Sequence, residues 1–271
     1  MKVLLIGQGY IGSAFAAELK ARRADWSAAS HREVATFSSA SRVLRERKPD
    51  ILINAAAFIP PNSVAECDLK PAETILGNTI FPQTLAHACE AAAVAMAQIS
   101  TGCLWSDSAE HSEEDPPQRA FNGHCGLYVG TKVVAEQAVQ GYDKAYIWRV
   151  RLPFDALNTP RNYLSKLIRY AHVYDHINSL SHREDTVKAC LDLWEKSAPF
   201  GTYNVTNEGA IAARDIIKMM QERRMLDHTP EFVPGPNGGS KLSVKKLLNA
   251  GVKIRDVHEA VAESLAKWKT V

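Results

Sequence analysis

The chain has 271 residues, 46% hydrophobic and 23% charged, which is the composition of an ordinary globular protein with room for one large or two closely joined domains. Its net charge of +2 gives no argument for a nucleic-acid or membrane surface, and no apolar run approaches the roughly 18 residues of a membrane span. The apolar run after Met1-Lys2 is too short for a signal-peptide core, and five scattered cysteines without a C-x2-C pair argue for reduced thiols in a cytoplasm and against structural zinc or a disulfide framework.

Val3 to Ile6 is a continuous apolar run, as expected of a strand buried on both faces of a parallel sheet. Gly7-Gln8-Gly9-Tyr10-Ile11-Gly12 follows at once, and Ser13 to Lys20 reads as a helix. This is G-x-G-x-x-G between a strand and a helix, the context the motif requires. Gly7 permits the turn, Gly9 lets the backbone approach a pyrophosphate, and Gly12 lets helix and strand pack closely, while the helix N-terminus, with Tyr10 and Ile11, attracts the anion. A second strand is expected at Trp26 to Ser30. An NAD site would usually end that strand in Asp or Glu, to hold the ribose 2′-hydroxyl. Here Ser30-His31-Arg32 stands instead, and His31 or Arg32 could hold the 2′-phosphate of NADP.

Ser38 to Arg47 reads as a helix, and Ile51 to Ile53 as a buried strand ending in Asn54-Ala55-Ala56-Ala57. Small residues at that edge let a cofactor lie against the backbone. Pro60-Pro61-Asn62 marks a loop, Glu66 to Leu69 and Pro71 to Cys89 carry helical signals, and Ala95 to Ser100 is the next strand. Ser106 to Gly126 is a long loop of the kind that often serves as a lid. A helix opens around Tyr128, and Ala145 to Pro153 is a strand. Helices follow at Tyr163 to Ala171 and Arg183 to Lys196, a strand at Gly201 to Val205, and helices at Ala213 to Arg224 and Val257 to Trp268. The Pro- and Gly-rich run at 234–239 is a surface turn. Strands alternating with helices of this length mean β-α-β units and a doubly wound sheet.

Tyr128 and Lys132 are four apart and share a helix face. An ammonium beside a phenol favours the phenolate and makes the phenol a better acid–base near neutral pH. The hydroxyl of Thr101 could hold a substrate carbonyl oxygen against that phenol.

The glycine loop, Thr101 and Tyr128-x3-Lys132, in this order and spacing, resemble the extended short-chain dehydrogenases/reductases that act on nucleotide sugars. Within that group the chain is similar to the dTDP-4-dehydrorhamnose reductases. It is closer to the 3,5-epimerase/4-reductases that finish nucleotide-rhamnose synthesis in plants and related viruses. Four segments carry the closer resemblance: Thr101-Gly102-Cys103, Arg149-Val150-Arg151-Leu152-Pro153, the stretch from Asn158 through Arg161-Asn162-Tyr163 to Lys166, and Tyr203-Asn204-Val205-Thr206-Asn207. The Gln8-Gly9-Tyr10 loop and the Ser106–Gly126 stretch depart from the plant enzymes.

The resemblance implies an α/β fold: a Rossmann doubly wound parallel sheet over residues 1–155, with a smaller C-terminal substrate-binding region over 156–271 interleaved with late sheet elements. It implies NADPH as hydride donor and a nucleotide-linked 4-keto-6-deoxyhexose as substrate; a homodimer is one assembly it allows, and the oligomeric state stays open. Tyr128 would protonate the alkoxide at C4, Thr101 would bind the same oxygen, and Lys132 would also reach the nicotinamide ribose. Cys103 and Lys166 would supply the base and acid of 3,5-epimerisation. Arg161, Asn162, Asn178 and Ser179 are candidate diphosphate or sugar contacts. Cys67, Cys89, Cys125 and Cys190 read as structural, and no histidine receives a role. A reductase needing neither Cys103 nor Lys166, and a non-catalytic NADP-sensing protein, are the alternatives; UDP, dTDP and GDP stay open as carriers.

Overall fold

The computed structural model describes residues 1–61, 63–235 and 238–270. Asn62 of the expected loop, and Pro236 and Asn237 of the expected turn, lie outside them. The amino half runs β1 (Lys2–Ile6), α1 (Tyr10–Ala21), β2 (Asp25–Ala29), α2 (Phe37–Arg47), β3 (Ile51–Asn54), α3 (Pro71–Ile75), α4 (Phe81–Ala92) and β4 (Ala95–Thr101). The short β5 (Glu110–His111) interrupts the long loop before α5 (Gly126–Gln140) and β6 (Ala145–Val150). Then come β7 (Leu157–Asn158), α6 (Tyr163–Arg169), β8 (His172–Tyr174), β9 (Ile177–Asn178), α7 (Arg183–Glu195) and β10 (Gly201–Asn204). The chain closes with β11 (Ile211–Ala212), α8 (Ala213–Glu222), β12 (Glu231–Val233), β13 (Lys241–Leu242), α9 (Lys245–Asn249), α10 (Val257–Ala266) and β14 (Lys269–Thr270).

Six strands form one parallel sheet in the order β10-β6-β4-β3-β1-β2. Every residue of β3, β4 and β6 is buried, which is why these strands read as largely apolar stretches rather than alternating ones. Phe15 and Leu19 of α1, Val187 and Leu191 of α7, and Leu247 of α9 cover one face. Val43 and Leu44 of α2, Leu85 of α4 and Val139 of α5 cover the other. The strand order turns back between β1 and β3, and the crevice outside their carboxyl ends is where such sheets take ligands.

Residues beyond 155 do not form a separate block. α7, β10 and α9 complete the sheet layers, while α6, α8 and α10 share a second core around Phe154, Leu164, Ile216 and Val261.

The expected elements are found with shifted ends. α1 begins at Tyr10 rather than Ser13, because Gly9 already stands at its N-cap. β2 stops at Ala29, because Ser30 caps a 3-10 turn at His31–Val34: its hydroxyl accepts from the Glu33 N–H, and the Glu33 carboxylate accepts from the Ser30 N–H. The single helix expected over Pro71–Cys89 is a correction. It is two helices joined by a π-helical turn at Leu76–Ile80. Asn78 is the reason: its side chain is fully buried and bonds both the Phe58 N–H, at 2.8 Å, and the Phe58 carbonyl, at 2.9 Å.

Asp155 sits at the junction of the two cores. Its carboxylate accepts from Arg183 at 2.7 Å and from the Asn162 amide at 2.9 Å. Arg183 then donates to Ser13 at 2.9 Å and lies over the Tyr10 ring at 4.8 Å, so it ties the second core to the first turn of α1. Breaking a buried pair leaves an uncompensated charge, so Asp155→Ala is expected to lower unfolding free energy by about 3 kcal/mol. Urea titration of the variant checks this, and a loss below about 1 kcal/mol would show that the seam is held by something else.

Candidate active site

The glycine loop occupies the switch point of the sheet. Gly7 has φ +85°, and a Cβ there would meet the Ala56 N at 2.6 Å; a Cβ on Gly12 would overlap the Gly7 carbonyl oxygen. These two positions are closed by the chain itself. Gly9 is different, because a Cβ there would meet nothing within 4 Å, so its backbone faces open space. No side chain caps α1, leaving the first-turn N–H groups to a ligand. That combination fits the pyrophosphate of a dinucleotide. Ala55 and Ala56 line the same space. Asn54 does not: it is buried, its amide donating to Gln98 at 2.7 Å and its oxygen accepting from the Ala56 N–H at 3.1 Å, so it shapes the loop from behind. His31 is exposed and packs on Phe81 at 4.3 Å, and Arg32 is exposed beside it. The nearby Glu33 carboxylate is occupied by Ser30 and by Arg47 at 2.9 Å, and among the described residues no carboxylate lies within 4.0 Å of Arg32.

From this point a cavity of about 1020 Å³ runs outward between the two cores. Its floor is the carboxyl end of β4 and the first turns of α5. Thr101, Tyr128 and Lys132 are all buried and all line it. The Thr101 hydroxyl lies near enough to the Tyr128 phenol to favour its ionised form. The expectation that Lys132 lowers the phenol is a correction: burial is the largest influence and pushes Tyr128 up, Cys103 adds to it, and the Thr101 hydroxyl opposes both. Lys132 instead points at the Ile99 carbonyl, 3.2 Å away. Tyr128 is therefore held as the neutral phenol, the form that can donate a proton.

Burial pushes Lys132 down to about 8, while Glu136, one turn along α5, opposes that shift. Glu136 is buried too. It pairs with Arg149 at 2.7 Å and accepts from the Ser100 hydroxyl at 2.5 Å. Sequence reading did not single out Glu136, although its i,i+4 spacing from Lys132 was a visible signal.

The cavity walls bring in the remaining candidates. Cys103, half-buried, lines the β4 side, and the Arg151 guanidinium donates to its sulfur at 3.2 Å. Lys166 lines the wall from α6, on the same helix face as Tyr163, Leu167 and Tyr170; burial lowers it first, then the charges of Arg161 and Arg169. Arg161 also faces the cavity but donates to the carbonyls of Ile59 and Pro60, both at 2.9 Å. Asn178 faces it while its oxygen accepts from Arg151. Asn162 and Ser179 are corrections. Both are fully buried and bonded within the chain: Asn162 caps α6 and holds Asp155 and Leu157, while Ser179 joins Gly209 to Leu242. They position the wall and do not form it. Among the cavity-lining residues that sequence reading passed over are Arg119, His124, His172 and His176. His172 and Tyr174 stand two apart on β8, a signal only three residues long.

The long loop over 106–126 is pinned rather than free. Trp105 donates to the Pro116 carbonyl at 3.0 Å, Gln118 and Arg119 donate their N–H groups to Leu104, and β5 pairs with β13.

A family model described as the RmlD substrate binding domain matches residues 1–270. The chain belongs to this family. It is 25% identical over 232 residues to the bifunctional dTDP-4-dehydrorhamnose 3,5-epimerase/dTDP-4-dehydrorhamnose reductase of Arabidopsis thaliana, covering 79% of this chain and 75% of that protein. Trifunctional UDP-glucose 4,6-dehydratase/epimerase/reductase proteins of the same plant also match, and the chain spans only between 27% and 35% of their length. The fold is shared with the L780 UDP-rhamnose synthase of Acanthamoeba polyphaga mimivirus, at TM-score 0.84 and 20% identity over 98% of this chain and 99% of that one. It is shared equally with a dTDP-4-dehydrorhamnose reductase of Bacillus anthracis in complex with NADP, at TM-score 0.82 and 19% identity over 98% of each.

A lysine whose folded-state pKa lies near 8 instead of 10.5 carries a burial penalty below about 8 that is relieved as pH rises towards 10.5. Wild type should therefore gain roughly 2–3 kcal/mol on Lys132→Met between neutral pH and about pH 10. Urea unfolding of both proteins across that range is the check, and parallel curves would mean that Lys132 is not a desolvated ammonium.

Proposed function

We propose that this chain is an NADPH-dependent reductase of a nucleotide-linked 4-keto-6-deoxyhexose that first inverts C3 and C5 of the sugar. The observation that carries the reading is one cavity holding two sets of groups: Thr101, Tyr128 and Lys132 for reduction, and Cys103 with Lys166 for proton exchange. The family and the names of its relatives support the substrate class. The NADP complex of the Bacillus enzyme, together with the exposed Arg32, supports the cofactor, since a guanidinium–phosphate pair is charge-assisted.

NADPH supplies the hydride when bound. The chain's own residues do the rest. Tyr128 gives its proton to the C4 oxygen, and Thr101 holds that oxygen in place. Lys132 keeps a positive charge beneath the phenol. In a 4-keto sugar the protons on C3 and C5 flank the carbonyl, so removing either puts charge on the C4 oxygen, where Thr101 and Tyr128 stabilise it. Cys103 and Lys166 approach from different walls, as inversion requires of a base and an acid. We further propose a cytoplasmic homodimer: the five cysteines are free, and Leu69, Ile75, Leu76 and Ile80 expose an apolar face. Among the described residues no helix is long and apolar enough to cross a membrane.

NADPH oxidation against 4-keto-6-deoxysugar nucleotides carried on UDP, dTDP and GDP, with the product identified by NMR, tests the reading directly. The enzyme should prefer NADPH to NADH, and Tyr128→Phe should lower the rate by about 10²–10⁴-fold while leaving NADPH binding nearly intact. A loss below about tenfold would remove Tyr128 from the role. Epimerisation has its own test. With oxidised cofactor in D2O and no reductant, wild type should incorporate deuterium at C3 and C5. Cys103→Ser and Lys166→Ala should lose most of that exchange yet still reduce a pre-epimerised substrate. Absence of exchange in wild type would leave a reductase only.

A further inference from the structure

Arg151 is the most anomalous charge in the cavity wall. It is 8% exposed, on the segment that leaves β6. Buried guanidinium groups are normally paired with carboxylates, because an uncompensated buried charge is costly. Arg149 and Arg183 follow that rule, with Glu136 and Asp155. Among the described residues, no carboxylate lies within 4.0 Å of Arg151. Its partners are neutral: the Gly102 carbonyl at 3.2 Å, the Asn178 oxygen at 2.5 Å and the Cys103 sulfur at 3.2 Å, and its buried Nε has no partner. The two oxygens fix the direction of the fork without neutralising it. What remains at hydrogen-bond distance is the thiol.

We infer that Arg151 is the positioning residue that holds the Cys103 sulfur as a thiolate, making an ion pair in the cavity wall. The surroundings allow it. Arg119 adds a second guanidinium, bonding the Cys103 carbonyl at 3.2 Å, and the other groups near the sulfur, the Tyr128 phenol and the Cys125 thiol, are both pushed up by burial and stay neutral. Cations beside a cysteine favour its thiolate, which is the nucleophile and the base.

This rests on the epimerase reading and deepens it. The thiolate takes a proton from C3 or C5: the C–H bond breaks, an S–H bond forms, and the electron pair moves to the C4 oxygen. A proton from the acid on the other wall then returns to carbon on the opposite face. Arg151 keeps its charge throughout and acts on the reaction through the sulfur it bonds.

Two measurements test it. In the folded wild type at neutral pH, the ultraviolet absorbance of a thiolate should exceed that of Cys103→Ser by one thiolate; no difference overturns the inference without recourse to any Arg151 variant. Alkylation of Cys103 by iodoacetamide at fixed neutral pH, followed by peptide mass, should slow by about tenfold in Arg151→Gln and recover in large part in Arg151→Lys, which keeps the charge. The ratio of C3/C5 exchange to reduction should fall with it. Alkylation within about twofold of wild type in Arg151→Gln overturns the inference even if deuterium exchange is normal. A thiolate that depends on Arg151 in a protein that exchanges no deuterium supports the ion pair and removes the epimerase reading instead.

Discussion

The buried ammonium of Lys132 is the constraint on which the rest of the site depends. α5 carries it to the floor of the cavity, where it is only 4% exposed, and an isolated charge so desolvated would neutralise or force the helix away. The chain answers with the carboxylate of Glu136, which pairs with Arg149 and whose charge also favours the Lys132 ammonium one turn away. Ser100 and the Ile99 carbonyl fix the geometry from β4, and Trp105 lies under Arg149 at 5.4 Å. α5, β4 and β6 are thereby locked at one depth by charge as well as by apolar packing. Tyr128, one turn above, inherits its position from that lock.

A second constraint is the seam between the two cores. Reduction needs a sugar held against a cofactor, so the wall carrying Lys166 must keep its distance from the floor carrying Tyr128. Two links set it. Arg161 reaches from the second core to the carbonyls of Ile59 and Pro60, and Arg183 reaches from Asp155 to α1. Asn78 completes the first link by fixing Phe58 from the π-turn between α3 and α4. The irregular turn is local, and its consequence is a loop held still between the cofactor side and the substrate side of the cavity.

The polar residues of the site divide by whether they keep a face on the cavity. Asn54, Asn162 and Ser179 do not: they bond within the chain and build the site without facing it. Cys103, Lys166 and Arg161 keep a face on the cavity. Residue type and neighbouring sequence do not separate the two groups, which is why the expected sugar contacts at Asn162 and Ser179 turned inward while His172 and His176, which carry no motif, turned toward the cavity.

The sequence alone determined whatever depends on near neighbours. Apolar runs at Val3 to Ile6 and Ile51 to Ile53 marked the central strands, because burial on both faces demands it. G-x-G-x-x-G between strand and helix gave the phosphate loop, because only glycine fits at Gly7 and Gly12. A spacing of four put Tyr128 above Lys132, because helix periodicity is local. Tertiary structure decided everything that joins distant residues. The register that sets Thr101 beside Val150 brings Arg151 to Cys103, 48 positions away, and the packing of α6 carries Lys166 to the same cavity. Contacts of that kind follow from how sheet strands align and how two cores dock, and no spacing along the chain encodes either.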